Sequence, residues 1–89
     1  MNSDSFSKLR EQLELQEWPN VYLFKFIVPN TPHALAQAAA LFTDLSEINF
    51  NESKTGKYIS VSAKEMMINV DAIIEVYVNA SKIEGIVSL

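Results

Sequence analysis

Cysteine is absent from this 89-residue sequence, and histidine occurs once, as His33. Without cysteine the chain can form no disulfide, thiolate nucleophile or thiolate metal site, which is compatible with a reducing compartment. A single histidine cannot supply a histidine metal cluster, and it stands at the start of a predicted helix, away from the serines of the predicted strands. We therefore predict no metal ion, no cofactor and no enzymatic activity.

Long apolar runs and an excess of positive charge are also missing. No apolar stretch approaches the roughly 20 residues that span a bilayer, and residues 1–5 lack the basic start and apolar core of a signal peptide. The chain has 7 basic and 11 acidic residues, a net charge of -4 and a pI near 4.8. This charge opposes binding to a polyanion through bulk electrostatics. We expect a cytoplasmic protein that binds neither membrane nor nucleic acid.

The length suits one small domain, which can bury roughly 60 to 65% of its unfolded-chain surface. Residues 4–17 are polar except for Leu15 and a stripe at helical spacing, which predicts an amphipathic N-terminal helix capped by Asp4 or Ser5. The pair Trp18-Pro19 ends this helix. The stripe consists of Phe6, Leu9 and Leu13.

Residues 21–28 are almost wholly apolar and rich in aromatic and β-branched side chains, which predicts a central strand. Thr31 and Pro32 suit the cap and first turn of a helix that should run to about Leu45. The predicted core residues of these two elements are Tyr22, Phe24, Phe26 and Val28 on the strand and Ala34 or Leu35, Ala38, Leu41 or Phe42, and Leu45 on the helix.

A hairpin and a second core helix follow. Residues 47–52 alternate as a strand does, and Gly56 can adopt the positive φ that the reversal needs. The second strand covers residues 58–67. Asn69 then caps a helix from Val70 to about Lys82, and Gly85 stops it before a short final strand. Alternation directs Ile48, Phe50, Ile59, Val61 and Ala63 to the core.

The order strand-helix-strand-strand-helix-strand predicts an α+β fold. Right-handed crossovers convert this order into a ferredoxin-like sandwich, with a four-stranded antiparallel sheet ordered 4-1-3-2 and both core helices on one face. We divide the chain into an N-terminal amphipathic helix, residues 1–17, and the ferredoxin-like domain, residues 18–89.

Three segments also carry a family resemblance. They are the run from Trp18-Pro19 through Tyr22, Phe24 and Lys25, the hairpin Ser53-Lys54-Thr55-Gly56-Lys57-Tyr58-Ile59-Ser60-Val61-Ser62, and the end Ile83-Glu84-Gly85-Ile86. Together they resemble the YbeD-like family of small bacterial proteins, in which the turn reads Ser-Lys-Gly-Asn-Tyr before a Ser-Val-Thr strand. The likeness covers about residues 18–89. It implies a ferredoxin-like, ACT-like regulatory fold in a bacterial cytosol, and it implies no activity.

A polar and partly basic surface is the candidate binding site. If the two helices cover one side of the sheet, these side chains are left on the other side, and the fold does not require them. They suit a regulatory or binding module that contacts a protein partner or a small anionic ligand. The candidate residues are Lys25, Lys54, Lys57, Tyr58, Ser60 and Ser62.

Ile74 and Val78 form a second candidate surface, because they lie four residues apart and outside the main apolar stripe of the second core helix. Such a pair can dock the N-terminal helix, contact a second subunit, or simply be exposed. The alternative function is therefore a self-associating interaction protein, a homodimer that buries either this pair or the sheet face.

Overall fold

The computed structural model describes residues 6–43 and 46–89. Within these ranges it contains a four-stranded antiparallel sheet and three helices, so the predicted α+β class is confirmed. The elements in chain order are α1 (Ser7–Leu13), β1 (Asn20–Pro29), α2 (Pro32–Ala39), β2 (Glu47–Glu52), β3 (Tyr58–Met67), α3 (Val70–Ala80) and β4 (Val87–Ser88).

The sheet has the strand order β2-β3-β1-β4, which reads β4-β1-β3-β2 from the opposite edge. Its centre is the pair β1 and β3, antiparallel along ten residues from Asn20 opposite Met67 to Pro29 opposite Tyr58. β2 forms one edge, and the two-residue β4 covers only part of the other. The layout is compatible with a ferredoxin-like fold.

The core lies on one side of the sheet, where both α2 and α3 pack. Phe24, Phe26 and Val28 of β1 are fully buried there, as the alternation of the strand predicts. The ring of Tyr77 on α3 lies 5.6 Å from that of Phe24 and 5.7 Å from that of Phe26, measured between centroids. Because each such side chain contributes about 1.5–3 kcal/mol when removed from water, this aromatic cluster dominates the core.

Local capping signals position the two core helices. The side chain of Thr31 accepts a hydrogen bond from the amide of Ala34 (3.1 Å), and that of Asn69 accepts one from the amide of Ala72 (2.9 Å). Both caps satisfy amides that the first turn of a helix leaves without a partner. The predicted helix starts are therefore confirmed.

The end of α2 differs from its prediction. The helix stops at Ala39 instead of about Leu45, and Leu45 itself lies outside the described residues. After Ala39 the chain makes a tight turn. Beyond this turn, the carboxylate of Glu65 on β3 accepts hydrogen bonds from the amide (3.1 Å) and the hydroxyl (2.6 Å) of Thr43. A carboxylate that is distant in sequence thus binds the chain four residues beyond the end of α2.

The N-terminal helix is also shorter than predicted, with α1 ending at Leu13, and the predicted caps Asp4 and Ser5 lie outside the described residues. The side chain of Leu13 is only 2% exposed. Arg10 forms an ion pair with Asp71 of α3 at 2.6 Å. α1 therefore docks on α3 of its own chain.

Phe50 corrects a predicted core position. It lies opposite Val61 and so on the helix side of the sheet, but 48% of its surface is exposed. The alternation gave the correct face. It could not show that the short α2 leaves this ring on the edge strand β2 uncovered.

Candidate functional site

The sheet side opposite the two core helices is the candidate site, and we call it the open face. No helix packs on it in the part of the chain that the structure describes. Strand alternation and register assign its side chains. They are Glu47, Asn49 and Asn51 of β2, Tyr58, Ser60, Ser62, Lys64 and Met66 of β3, Val21, Leu23, Lys25 and Ile27 of β1, and Val87 of β4.

Four of the six predicted binding residues lie on the open face. Lys25 lies directly opposite Ser62, and Ile27 lies opposite Ser60. Tyr58 is the first residue of β3 and lies on the same face as these two serines. Side chains alternate between the two faces of a strand, so assigning one residue to a face also assigns the rest of that strand. The sequence could therefore identify these residues.

The other two, Lys54 and Lys57, lie in the turn between β2 and β3. Lys25 is opposite Ser62, four residues along β3 from Tyr58, which corresponds to roughly 13 Å at the rise of a strand. Lys25 is therefore not beside the turn lysines. The structure does not assemble the single basic patch that the sequence suggested.

A different pair of lysines does come together. Lys64 lies two residues from Ser62 on β3 and is thus the diagonal neighbour of Lys25, at a Cα separation of roughly 7–8 Å. Glu47, the carboxylate of the open face, lies directly opposite Lys64. Two lysines and one glutamate give this part of the open face a formal charge of +1, although the whole chain has a net charge of -4.

Large apolar side chains also lie on the open face, and apart from Tyr58 the sequence reasoning did not select them as binding residues. Each is between 47% and 62% exposed. For Val21 and Leu23 the available signal was the almost continuous apolar run of β1, since alternation can bury only half of such a run when one face is uncovered. The residues are Val21, Leu23, Tyr58, Met66 and Val87.

A shallow depression of about 340 Å³ opens at the hairpin end of the open face. Glu52 lines this depression, and its Oε1 accepts a hydrogen bond from the side-chain amide of Asn30 at 3.0 Å. A carboxylate thus stands next to the turn that carries Lys54 and Lys57. The depression is lined by Ile27, Asn51, Glu52, Ser53, Tyr58 and Ser60.

Two groups with shifted pKa values lie on the helix side of the sheet. Burial raises the pKa of Tyr77 well above its usual value, and the adjacent hydroxyl of Tyr22 at 2.9 Å adds to the rise. Burial would also raise the pKa of Glu65, but hydrogen bonds from Thr43 and Ser46 outweigh that effect, and the pKa lies below the usual value. Both groups support the packing of the helix side.

The second candidate surface, Ile74 and Val78, belongs to the core. Ile74 is only 8% exposed within the single chain, and Val78 packs partly buried against the same cluster. That cluster includes Leu13 of α1. A subunit interface at this position would require α1 to move away.

No cluster of side chains that could hold a metal ion is visible in residues 6–43 and 46–89. Within them, no three His, Asp or Glu side chains come close enough to hold a metal ion. His33 is exposed at the start of α2. In the same ranges no helix has the length and apolar character needed to cross a membrane.

Comparison with known proteins gave no relative. No protein-family model matches the chain, and no curated protein or solved structure matches it. The resemblance to the YbeD-like family therefore stays a prediction, and the site has to be interpreted from its geometry.

Proposed function

We propose that this protein is a small binding module that contacts a protein partner through its open face. In this proposal the exposed apolar side chains supply the contact area, while Lys25 and Lys64 pair with carboxylates of the partner. No catalytic step is assigned to the chain.

One observation carries the proposal. Half-exposed apolar side chains and two neighbouring lysines share a sheet face that no helix of the described residues covers. Contiguous exposed apolar surface with a polar component is typical of protein interaction sites. A face of this kind needs no deep cavity, because the partner buries it by matching its shape.

A protein partner fits the open face better than a small anionic ligand. An anion site would require several cations around one point. The turn lysines, however, lie roughly 13 Å or more from Lys25 along the direction of the strands. The depression nearest to that turn is lined by the carboxylate of Glu52, which repels an anion. The same depression can accept an apolar side chain of a protein, because Ile27 and Tyr58 form part of its wall.

We also propose the ferredoxin-like assignment, a regulatory role and the cytoplasmic setting. The element order of residues 20–88 and the packing of α2 and α3 on one side support the first. Small modules of this architecture can bind through either the face or the edges of the sheet. The absence of cysteine supports a reducing compartment.

The test is affinity capture from an extract of the source cells, followed by titration of the purified partner. We would compare the wild-type protein with the double charge reversal Lys25→Glu, Lys64→Glu. Reversal of two contact charges should weaken binding by roughly tenfold or more, with the effect reduced at high salt. Titration by calorimetry at two salt concentrations measures both effects.

Lys82→Glu is the matched control. Lys82 is an exposed lysine just beyond α3, on the helix side of the sheet, so its reversal changes the net charge without altering the open face. A partner that binds the wild type and this control equally but loses the double variant supports the proposal. A partner that binds all three with the same affinity contradicts it.

A further inference from the structure

The outer edge of β2 has unpaired backbone groups. β2 pairs with β3 on one side, and among the described residues no strand pairs with it on the other. The amide of Ser53 donates to the carbonyl of Tyr58 (2.9 Å), so odd-numbered residues here direct their backbone groups toward β3. The amides and carbonyls of Ile48, Phe50 and Glu52 therefore point away from the sheet.

This edge has only part of the usual protection against edge-to-edge pairing. Edge strands are commonly protected by charged side chains, especially lysine, by proline or by a β-bulge, and the charges of β2 are confined to Glu47 and Glu52 at its two ends. β2 has the sequence Glu-Ile-Asn-Phe-Asn-Glu, without lysine or proline, and its register with β3 is continuous over all six residues. The strand is thus long and regular enough to accept another strand.

Phe50 gives the edge an apolar centre. Its side chain lies on the helix side of the sheet, opposite Val61, and remains 48% exposed because α2 does not reach it. If another strand pairs with β2 and places an apolar side chain opposite Phe50, the ring loses this exposed surface to the contact.

A second copy of β2 matches this edge. In an antiparallel pair centred on Phe50, the two Phe50 rings lie directly opposite each other, with Cα atoms about 5.5 Å apart. Ile48 then faces Glu52, and Asn49 faces Asn51, so no like charges are opposed. The residues whose backbone groups point away from β3 form three pairs across this interface. Each pair exchanges two hydrogen bonds, so the interface contains roughly six backbone hydrogen bonds.

We propose that two copies of this protein associate by antiparallel pairing of their β2 strands, centred on Phe50. The result is a continuous sheet with four strands from each copy and with all core helices on one side. This association is independent of the partner proposed above, because it uses the strand edge and leaves the open face free.

Sedimentation velocity on the wild type, on two Phe50 variants and on a mixture of these two variants tests the pairing. The wild type should be a dimer at micromolar to millimolar concentration. Phe50→Lys and Phe50→Glu each place like charges opposite each other at the two-fold axis, so each variant should weaken the dimer by roughly a hundredfold. An equimolar mixture of the two variants should restore a dimer, because lysine then faces glutamate.

Met66→Lys is the control, because Met66 is exposed on β3 and lies on the open face, away from the β2 edge. It should remain dimeric, and circular dichroism should show the same folded content in all variants. A monomeric wild type at millimolar concentration contradicts the proposal. So does a dimer that survives both Phe50 variants, or two monomeric variants that fail to combine with each other.

Discussion

Both faces of β1 carry large apolar side chains, but the surroundings of the two faces differ. On the helix side Phe24, Phe26 and Val28 have no exposed surface, whereas on the open face Val21 and Leu23 are about half exposed. The strand itself does not cause the difference. It arises because both core helices pack on the same side, so apolar character alone does not show which side chains form the core.

The largest expected effect compares neighbouring residues on the two faces. Phe24→Ala removes a fully buried ring and should lower the free energy of unfolding by about 3–5 kcal/mol. Leu23→Ala, on the open face, should change it by less than about 0.5 kcal/mol. Urea unfolding of both variants measures the contrast. Similar losses would mean that the open face is covered within the chain.

A smaller effect should separate the two glycine turns at the ends of the sheet. Gly85 has a φ of 80°, and a Cβ atom there would lie 2.9 Å from Cγ of Pro29, so Gly85→Ala should cost about 1–3 kcal/mol. Gly56 has a φ of 74°, but the nearest atom to an added Cβ belongs to the flexible side chain of Glu52. Gly56→Ala should therefore cost less. Thermal unfolding ranks the two, and the reverse order would contradict this reasoning.

The side-chain caps of α2 and α3, the helices that cover one side of the sheet, should each contribute about 1 kcal/mol to the free energy of unfolding. Asn69→Ala leaves the amide of Ala72 without its side-chain acceptor and should destabilise the protein by about that amount. Asn69→Asp retains an acceptor and serves as the control. Equilibrium unfolding measures both variants, and equal losses would show that the cap hydrogen bond contributes little.

The smallest effect depends on pH and concerns Glu65. Its pKa is lower in the folded protein than the usual 4.5. Folding therefore favours the carboxylate, and this contribution is present above pH 4.5 and is lost as the pH falls through the folded pKa. Glu65→Gln should be less stable than the wild type near pH 7, with the difference decreasing under acidic conditions. A difference that does not change between pH 7 and pH 3 would exclude this role.

Most element positions could be predicted because their signals are local. β2 occupies residues 47–52 as its alternation indicates, and Thr31 and Asn69 cap their helices. A cap or a two-residue period depends only on neighbours within a few positions. The end of α2 could not be predicted in this way, because the acceptor that captures Thr43 is Glu65, 22 residues later.

The candidate site was predictable in part for the same reason. Alternation placed Lys25 and Tyr58 on one face, but the distance between them depends on the register of β1 against β3. Turn residues such as Lys54 and Lys57 follow no strand period, so their relation to the face had no signal in the sequence.

The sequence by itself determined the strands, the starts of the core helices, the turn glycines and the assignment of side chains to two faces. Each depends on the backbone preferences and polarity of residues close together in the chain. Only the tertiary structure decided that Lys25 neighbours Lys64, that the turn lysines lie away from this pair, and that Phe50 of the edge strand β2 stays half exposed. These features depend on which distant segments pack together, and hydrophobic burial, which drives that packing, is not directional.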